Sequence, residues 1–378
     1  MKRRGVCYDV GRVMWGQNWR PEFSAAETHR ELEIIRTCLH CNAVRICGQD
    51  LDRLVTAAKD ALDQGLEVWL SPELWDHGPE DTLDHIAAAA ERAAELHQRR
   101  PGQVVFSVGS ELTLFMVGIV EGNSVFERMQ HPSFWEHVRP GAHNAPLNAF
   151  LAEANDRVRQ AFGGSVTYSS VPLETVDWSR FDFVSVDLYR DALIRDRFSD
   201  ILGRYLAHGR PVAITEFGCC TYRGAADAGG RGFAILDYSV GDRDSTPPRL
   251  NGNYPRDEPE QARELTEMLT IFGNADVDAT FVMTFVTPLN RYSDDPVYDL
   301  DMASYSLVKS YGSRLGPLGT TYPPAPWDRD RFGTTHPDMP WKPKTSFTAV
   351  ARYYAAQETR LRGDQPTIHP GRQSQNNQ

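Results

Sequence analysis

Two glutamates close two apolar runs, Phe106-Ser107-Val108-Gly109-Ser110-Glu111 and Ala213-Ile214-Thr215-Glu216-Phe217-Gly218. Each run reads as a strand buried on both faces of a parallel sheet, and each delivers its carboxylate at or just past the strand's C-terminal end. Two carboxylates brought together there can divide the cleavage of a glycosidic bond, one donating a proton while the other attacks or stabilises. Glu73, in Ser71-Pro72-Glu73, is a competing carboxylate. Asp9 and Asp187 fall by alternation on the inward side of their strands, where buried carboxylates need a partner and Arg45 is the obvious candidate. Trp15, Trp19, Trp75, His77 and Tyr222 sit in segments that follow strands. Their rings are candidates to stack on sugar C–H faces or another flat apolar ligand, with His77 bonding a hydroxyl.

The elements that must position these groups alternate regularly. Strands are predicted over 5–10, 42–46, 66–71, 103–108, 166–169, 182–187, 211–215 and 280–285. Helices are predicted over 25–39, 50–64, 81–98, 145–162, 195–208, 259–272 and 345–357, with Gly65 closing the second as a C-cap. Strands five and six are joined by a short segment around Trp178. Eight strands with their crossovers make an α/β chain with the pattern of one (β/α)8 barrel over residues 1–360. The long Gly-, Pro-, Asn- and Asp-rich stretches 113–144, 218–256 and 286–343 follow strands four, seven and eight and would crown the catalytic face. The tail, 361–378, ending Gln-Ser-Gln-Asn-Asn-Gln, is expected to be disordered.

Composition narrows the partners. With 378 residues, 41% hydrophobic and 24% charged, the chain suits a soluble enzyme with a large core. A net charge of -11 without a clustered basic face argues against nucleic acid or an anionic membrane, leaving a small molecule or oligosaccharide as the expected partner. Met1-Lys2-Arg3-Arg4 starts like a signal peptide, but no apolar core follows, and no stretch approaches the roughly 18 apolar residues of a membrane span. A cytoplasmic home is expected. The six cysteines are too sparse for a disulfide scaffold. Cys38 and Cys41 would enter the second strand at one end and Cys47 would leave at the other, about 15–20 Å away at strand rise, so they cannot share a zinc ion. Neither metal nor cofactor is expected. Cys219-Cys220 follows Glu216 closely enough to reach the same pocket, although small apolar side chains at a loop base describe the pair as well.

On these residues the chain resembles the clan A glycoside hydrolases, retaining enzymes on a TIM barrel. The resemblance implies that Glu111 is the acid/base after the fourth strand and Glu216, in Ile-Thr-Glu-Phe-Gly, the nucleophile after the seventh. It implies that Arg45 supports the nucleophile, that Tyr189 in Val-Asp-Leu-Tyr is the tyrosine after strand six, and that Phe285 stands for the strand-eight aromatic, commonly tryptophan. It also ranks Glu73 below the pair, since the family has no catalytic acid there. The family usually has asparagine before its acid/base glutamate, bonding the sugar 2-hydroxyl; this chain has the shorter Ser110, which leaves that contact missing or water-mediated.

The expected activity is retaining hydrolysis of a β-glycoside or small glycoconjugate. An alternative keeps the barrel and uses the carboxylates for proton transfer, cyclisation, elimination or transglycosylation on a specialised metabolite. A third reading is non-catalytic. The runs Gly-Val-Cys-Tyr-Asp-Val-Gly-Arg and His-Cys-Asn-Ala-Val-Arg-Ile-Cys-Gly are similar to bacterial proteins loosely labelled abortive-infection proteins, a label implying phage defence without a mechanism.

Overall fold

The computed structural model describes residues 1–14, 16–237, 248–311 and 336–363. Trp15 and the tail from residue 364 lie outside the described residues. Eight parallel strands close into a barrel: β1 Arg3–Asp9, β2 Ala43–Gly48, β3 Glu67–Pro72, β4 Val104–Ser110, β5 Ser165–Ser170, β6 Val184–Asp187, β7 Val212–Phe217 and β8 Ala279–Val282. Closure is made by β1, which pairs with β2 (Cys7 opposite Arg45) and with β8 (Gly5 opposite Phe281). The helices are α1 Ala25–Thr37, α2 Leu51–Asp63, α3 Pro79–Arg99, α4 Asn144–Ala161, α5 Phe198–Leu206, α6 Glu258–Asn274 and α7 Thr345–Gly363. Between β5 and β6 there is only a short turn of 3-10 helix, Trp178–Arg180. The sequence pattern therefore holds: this is a (β/α)8 barrel with long loops after β4, β7 and β8.

Local chemistry sets the boundaries. Ser24 caps α1 by accepting from the Glu27 amide, and Asp50 caps α2 by accepting from the amides of Asp52 and Arg53. Gly65 ends α2 at φ +83°, where a side chain would be strained. Alternation along the strands divides the core in two. Val6, Val44, Ile46, Phe106, Val186 and Ile214 pack outward against the helices, whereas Cys7, Trp69, Val105, Phe183, Ala213 and Phe281 fill the barrel. Trp69 is the plug, its ring 4.8 Å from Phe183 and 5.0 Å from Phe281. Above this layer, toward the C-terminal ends of the strands, lie the buried polar groups Arg12, Arg45, Glu73, Ser110, Asp187 and Glu216. Among the described residues no helix is long and apolar enough to cross a membrane.

Two strands break alternation where it matters. In β7, Ile214 pairs with Val186 and Thr280, but the next partners are Glu216 for Asp187 and Phe217 for Val282. One extra residue is thus inserted, so Phe217 takes the outward place and Thr215 and Glu216 both turn toward the barrel. In β4, Ser107 opposes Thr167 and Ser110 opposes Ser169, again with one residue too many. Gly109 absorbs this slip at φ +139°, and Ser110 turns inward.

Candidate active site

Strict alternation would send Glu216 to the same side as Val212 and Ile214, into the apolar layer under the helices. The bulge sends it instead into the barrel mouth, where it is 7% exposed. Its Oε1 accepts from Arg12 Nη2 and from Arg45 Nη1, both at 2.6 Å, and its Oε2 accepts from the Tyr189 hydroxyl at 3.1 Å. Burial works against its charge, but the two guanidiniums overcome burial and hold the Glu216 carboxyl down at about 2.

Glu111 is built differently. It follows β4 in the left-handed conformation, φ 51° and ψ 41°, a sparsely populated state for a residue with a side chain. The turn is clamped: the Glu111 amide donates to the Ser169 carbonyl at 2.8 Å, and its own carbonyl accepts from Leu114 and Phe115 at 2.8 and 3.0 Å. Behind it, Glu174 accepts from the Thr113 amide at 3.0 Å and from Tyr168, while the Tyr168 hydroxyl accepts from the Leu112 amide at 2.8 Å. Among the described residues none donates a hydrogen bond to the Glu111 carboxyl itself. Burial and the neighbouring charges of Asp187, Glu216 and Glu174 push it well above the usual carboxylate range.

A third carboxyl joins them. Asp187, at the end of β6, accepts from the Ser110 hydroxyl at 2.8 Å, and its other oxygen is buried. Burial and the charge on Glu216 raise it to about 7. One oxygen each from Glu111, Asp187 and Glu216 lie within 4.8 Å of one another. Glu73, the competing carboxylate, is the counter-ion of the floor: it accepts from Arg12 Nε at 2.6 Å, Arg45 Nη2 at 3.1 Å and Ser71 at 3.0 Å. Asp9 caps the turn that delivers Arg12, accepting from the amides of Gly11 and Arg12 at 2.7 and 2.9 Å. The two buried arginines thus hydrogen-bond Glu216 and Glu73, Arg12 also lies 3.7 Å from Asp9, and Asp187 takes its hydrogen bond from Ser110 rather than from Arg45.

These groups form the floor of a cavity of about 910 Å³ at the C-terminal ends of the strands. Trp75 and Trp19 lie on its wall, edge to face at 5.6 Å, with the Arg12 guanidinium 5.5 Å and 5.8 Å from their rings. Tyr189 and Tyr305 stand beside each other at 5.4 Å.

Other candidate residues are placed elsewhere. Phe285 is wholly buried on the helix side, edge to face with Trp341 at 5.3 Å, because Met283 and Thr284 both face the cavity and alternation slips by one after β8. His77 is directed to the Trp75 carbonyl at 2.7 Å and does not reach the cavity wall. Tyr222 packs in a loop core with Tyr254 and donates to the Gly232 carbonyl at 3.1 Å. Cys219 and Cys220 are buried in that same loop core, off the cavity wall. Arg12, which completes the floor, carries no signal beyond following strand one in a Gly-Arg turn. Arg45 meets Glu216 from below, off the cavity wall.

No protein-family model matches the sequence, and no curated protein matches it. Solved structures do. A β-glucosidase designated 1317 superposes with a TM-score of 0.52 at 11% identity, over 94% of this chain and 98% of that one. The shared fold is the TIM barrel. Bacteroides uniformis β-glucuronidase 3 gives a TM-score of 0.52 at 15% identity, over 94% of this chain and 38% of that one. Bacteroides uniformis β-glucuronidase 2, covalently bound to cyclophellitol-6-carboxylate aziridine, gives 0.48 at 14% identity, over 85% of this chain. The chain spans only 34% of the length of that β-glucuronidase. Identities at this level speak to the barrel alone.

Proposed function

We propose that the protein is a retaining β-glycosidase acting on a β-glycoside or small glycoconjugate, with Glu216 as nucleophile and Glu111 as acid/base. The observation that carries this reading is the opposed environment of two neighbouring carboxyls: Glu216 is held charged by Arg12, Arg45 and Tyr189, while Glu111 lacks a donor and keeps its proton. A nucleophile must be ionised and a general acid must not be. Their oxygens approach within 4.8 Å, which suits a double displacement, whose two carboxyl groups stand about 5–5.5 Å apart, and leaves little room for the water of an inverting mechanism.

In the first step Glu216 attacks the anomeric carbon while Glu111 protonates the departing oxygen. In the second, Glu111, now a carboxylate, takes a proton from the water that releases the sugar from Glu216. Asp187 fixes the short Ser110 beside the two glutamates by accepting its hydroxyl at 2.8 Å. Trp75 and Trp19 offer ring faces to the ligand.

Activity against a panel of aryl β-glycosides tests this. Glu216→Gln is expected to lose on the order of 10⁴-fold in kcat, as loss of a covalent nucleophile does, and Glu111→Gln about 10²–10⁴-fold. Equal traces from wild type and both variants would dispose of the hydrolase. One observation favours a second reading, transglycosylation by the same pair: much of the cavity wall is apolar, which disfavours water as acceptor. Transfer to an added alcohol in preference to release of free sugar would select it.

A further inference from the structure

We infer that the leaving group of the substrate is a hydrophobic aglycone, bound against the wall formed by the loops after β4 and β5. This rests on the glycosidase reading and concerns the half of the substrate that reading leaves open. A general acid stands beside the bond it protonates, so the aglycone must lie on the Glu111 side of the cavity. On that side the wall is Leu114, Phe115, Val125, Phe126, Met129 and Leu173, and beyond Ser110 and Glu111 the only polar side chain these two loops offer is Gln130. A sugar in this position would find almost nothing to bond its hydroxyls. The facing loops, after β1, β7 and β8, also carry apolar side chains such as Phe233, Leu236 and Leu289, but intersperse them with Gln17, Arg231, Asn251, Thr287, Asn290 and Ser304. Partners for hydroxyl groups are therefore concentrated on the facing side, while the Glu111 side offers almost only hydrocarbon.

The apolar side is held in place by buried polar anchors behind it. Arg128, fully buried, donates to the Leu114 carbonyl at 2.7 Å and the Gly122 carbonyl at 3.1 Å and pairs with Asp76, which in turn accepts from the Val125 amide at 2.8 Å. This ties the short helix Val125–Gln130 to the turn that carries Glu111. Glu174 ties the β5 loop to the same turn through the amides of Thr113 and Val171. Trp75 stacks on Phe115 at 4.1 Å and 13°, extending the apolar face toward the floor. The helix so anchored presents Phe126 and Met129 on the cavity side at 36% and 49% exposure.

The test takes the best sugar from the aryl panel and compares its methyl, butyl, hexyl and octyl β-glycosides below their micelle concentrations. The expected result is a kcat/KM that rises with chain length by up to about fourfold per methylene, the factor equivalent to about 0.8 kcal/mol. Phe126→Ser and Met129→Ser, both at exposed positions, should flatten that slope. Trp135→Ser, on the neighbouring helix Phe134–Val138 and off the cavity wall, should leave it as in wild type. Turnover with no dependence on chain length overturns the hydrophobic aglycone and leaves the glycosidase standing; absence of turnover for every sugar takes both away.

Discussion

Glu216 and Glu111 are the same residue type at the ends of two barrel strands, a few ångströms apart, and they are held in opposite states. The difference lies in who reaches them. Glu216 is met by two guanidiniums and a phenol, and both guanidiniums are also shared with Glu73. Arg12 and Arg45 direct their short hydrogen bonds to Glu216 and Glu73, with Asp9 3.7 Å from Arg12, and neither guanidinium hydrogen-bonds Glu111 or Asp187. A buried carboxyl without a hydrogen-bonded cation resists ionisation, so the uneven reach of the two guanidiniums sets the two glutamates apart. The asymmetry continues upward, since the loops beside Glu111 line the cavity almost wholly with apolar side chains and those facing them with a mixture of apolar and polar ones.

The largest effect should come from removing one cation. Arg45→Met leaves Glu216 with Arg12 alone and should raise its pKa by about 1–3. Its ionisation, at about 2 in the intact floor, then enters the range where the acidic limb of kcat/KM becomes visible. The sign for stability is the same. The folded carboxyl sits below its ordinary value, so it stabilises the fold above about pH 4.5 and that contribution fades as pH falls toward 2. Arg45→Met forfeits it and leaves Arg12 to serve both Glu216 and Glu73, at a cost of about 3–5 kcal/mol in denaturant unfolding at neutral pH. An acidic limb that stays where it was would mean that Arg12 suffices, and the contrast between the glutamates would need another cause.

Asp187→Asn sharpens the comparison from the other side. Its carboxyl is among the charges that keep the Glu111 proton on, so removing it should move the basic limb of the pH profile to lower pH. Stability should move as well. Asp187 is held at about 7 against an ordinary 3.8, so wild type loses stability as pH rises through that interval and the amide does not. The variant should unfold at a higher temperature than wild type at pH 8, by the equivalent of about 1–3 kcal/mol, and match it below pH 4. A basic limb that does not move would detach Asp187 from the Glu111 titration.

Much of this was readable from residue types. Eight apolar runs separated by capped helical stretches carry the barrel, because burial on both faces and helix capping are local properties of sequence. Glu111, Glu216, Arg45 and Tyr189 were legible because strand ends on one rim of a barrel converge. The bulges were not. A single inserted residue reverses which face a side chain takes, and nothing in Ile214-Thr215-Glu216-Phe217 marks the slip; the same effect after β8 turns Phe285 from a proposed ligand contact into core. Arg12 was equally silent, since its role depends on a turn capped by Asp9 that brings it over Glu73 and Glu216. His77 and Tyr222 sit in the expected loops, but loop paths depend on long-range anchors that spacing does not reveal.

The smallest effect marks the border of the site. Tyr222 donates to the Gly232 carbonyl and packs on Tyr254 within a loop core that stands behind the cavity wall. Tyr222→Phe removes that hydrogen bond and keeps the ring, so it should cost about 1 kcal/mol of stability and leave kcat/KM within twofold of wild type. The opposite pattern, an unchanged unfolding transition with a tenfold fall in kcat/KM, would place the Tyr222 hydroxyl on the substrate. The polar side of the cavity would then reach further along the β7 loop than its lining residues indicate, and the division between sugar side and aglycone side would have to be redrawn around it.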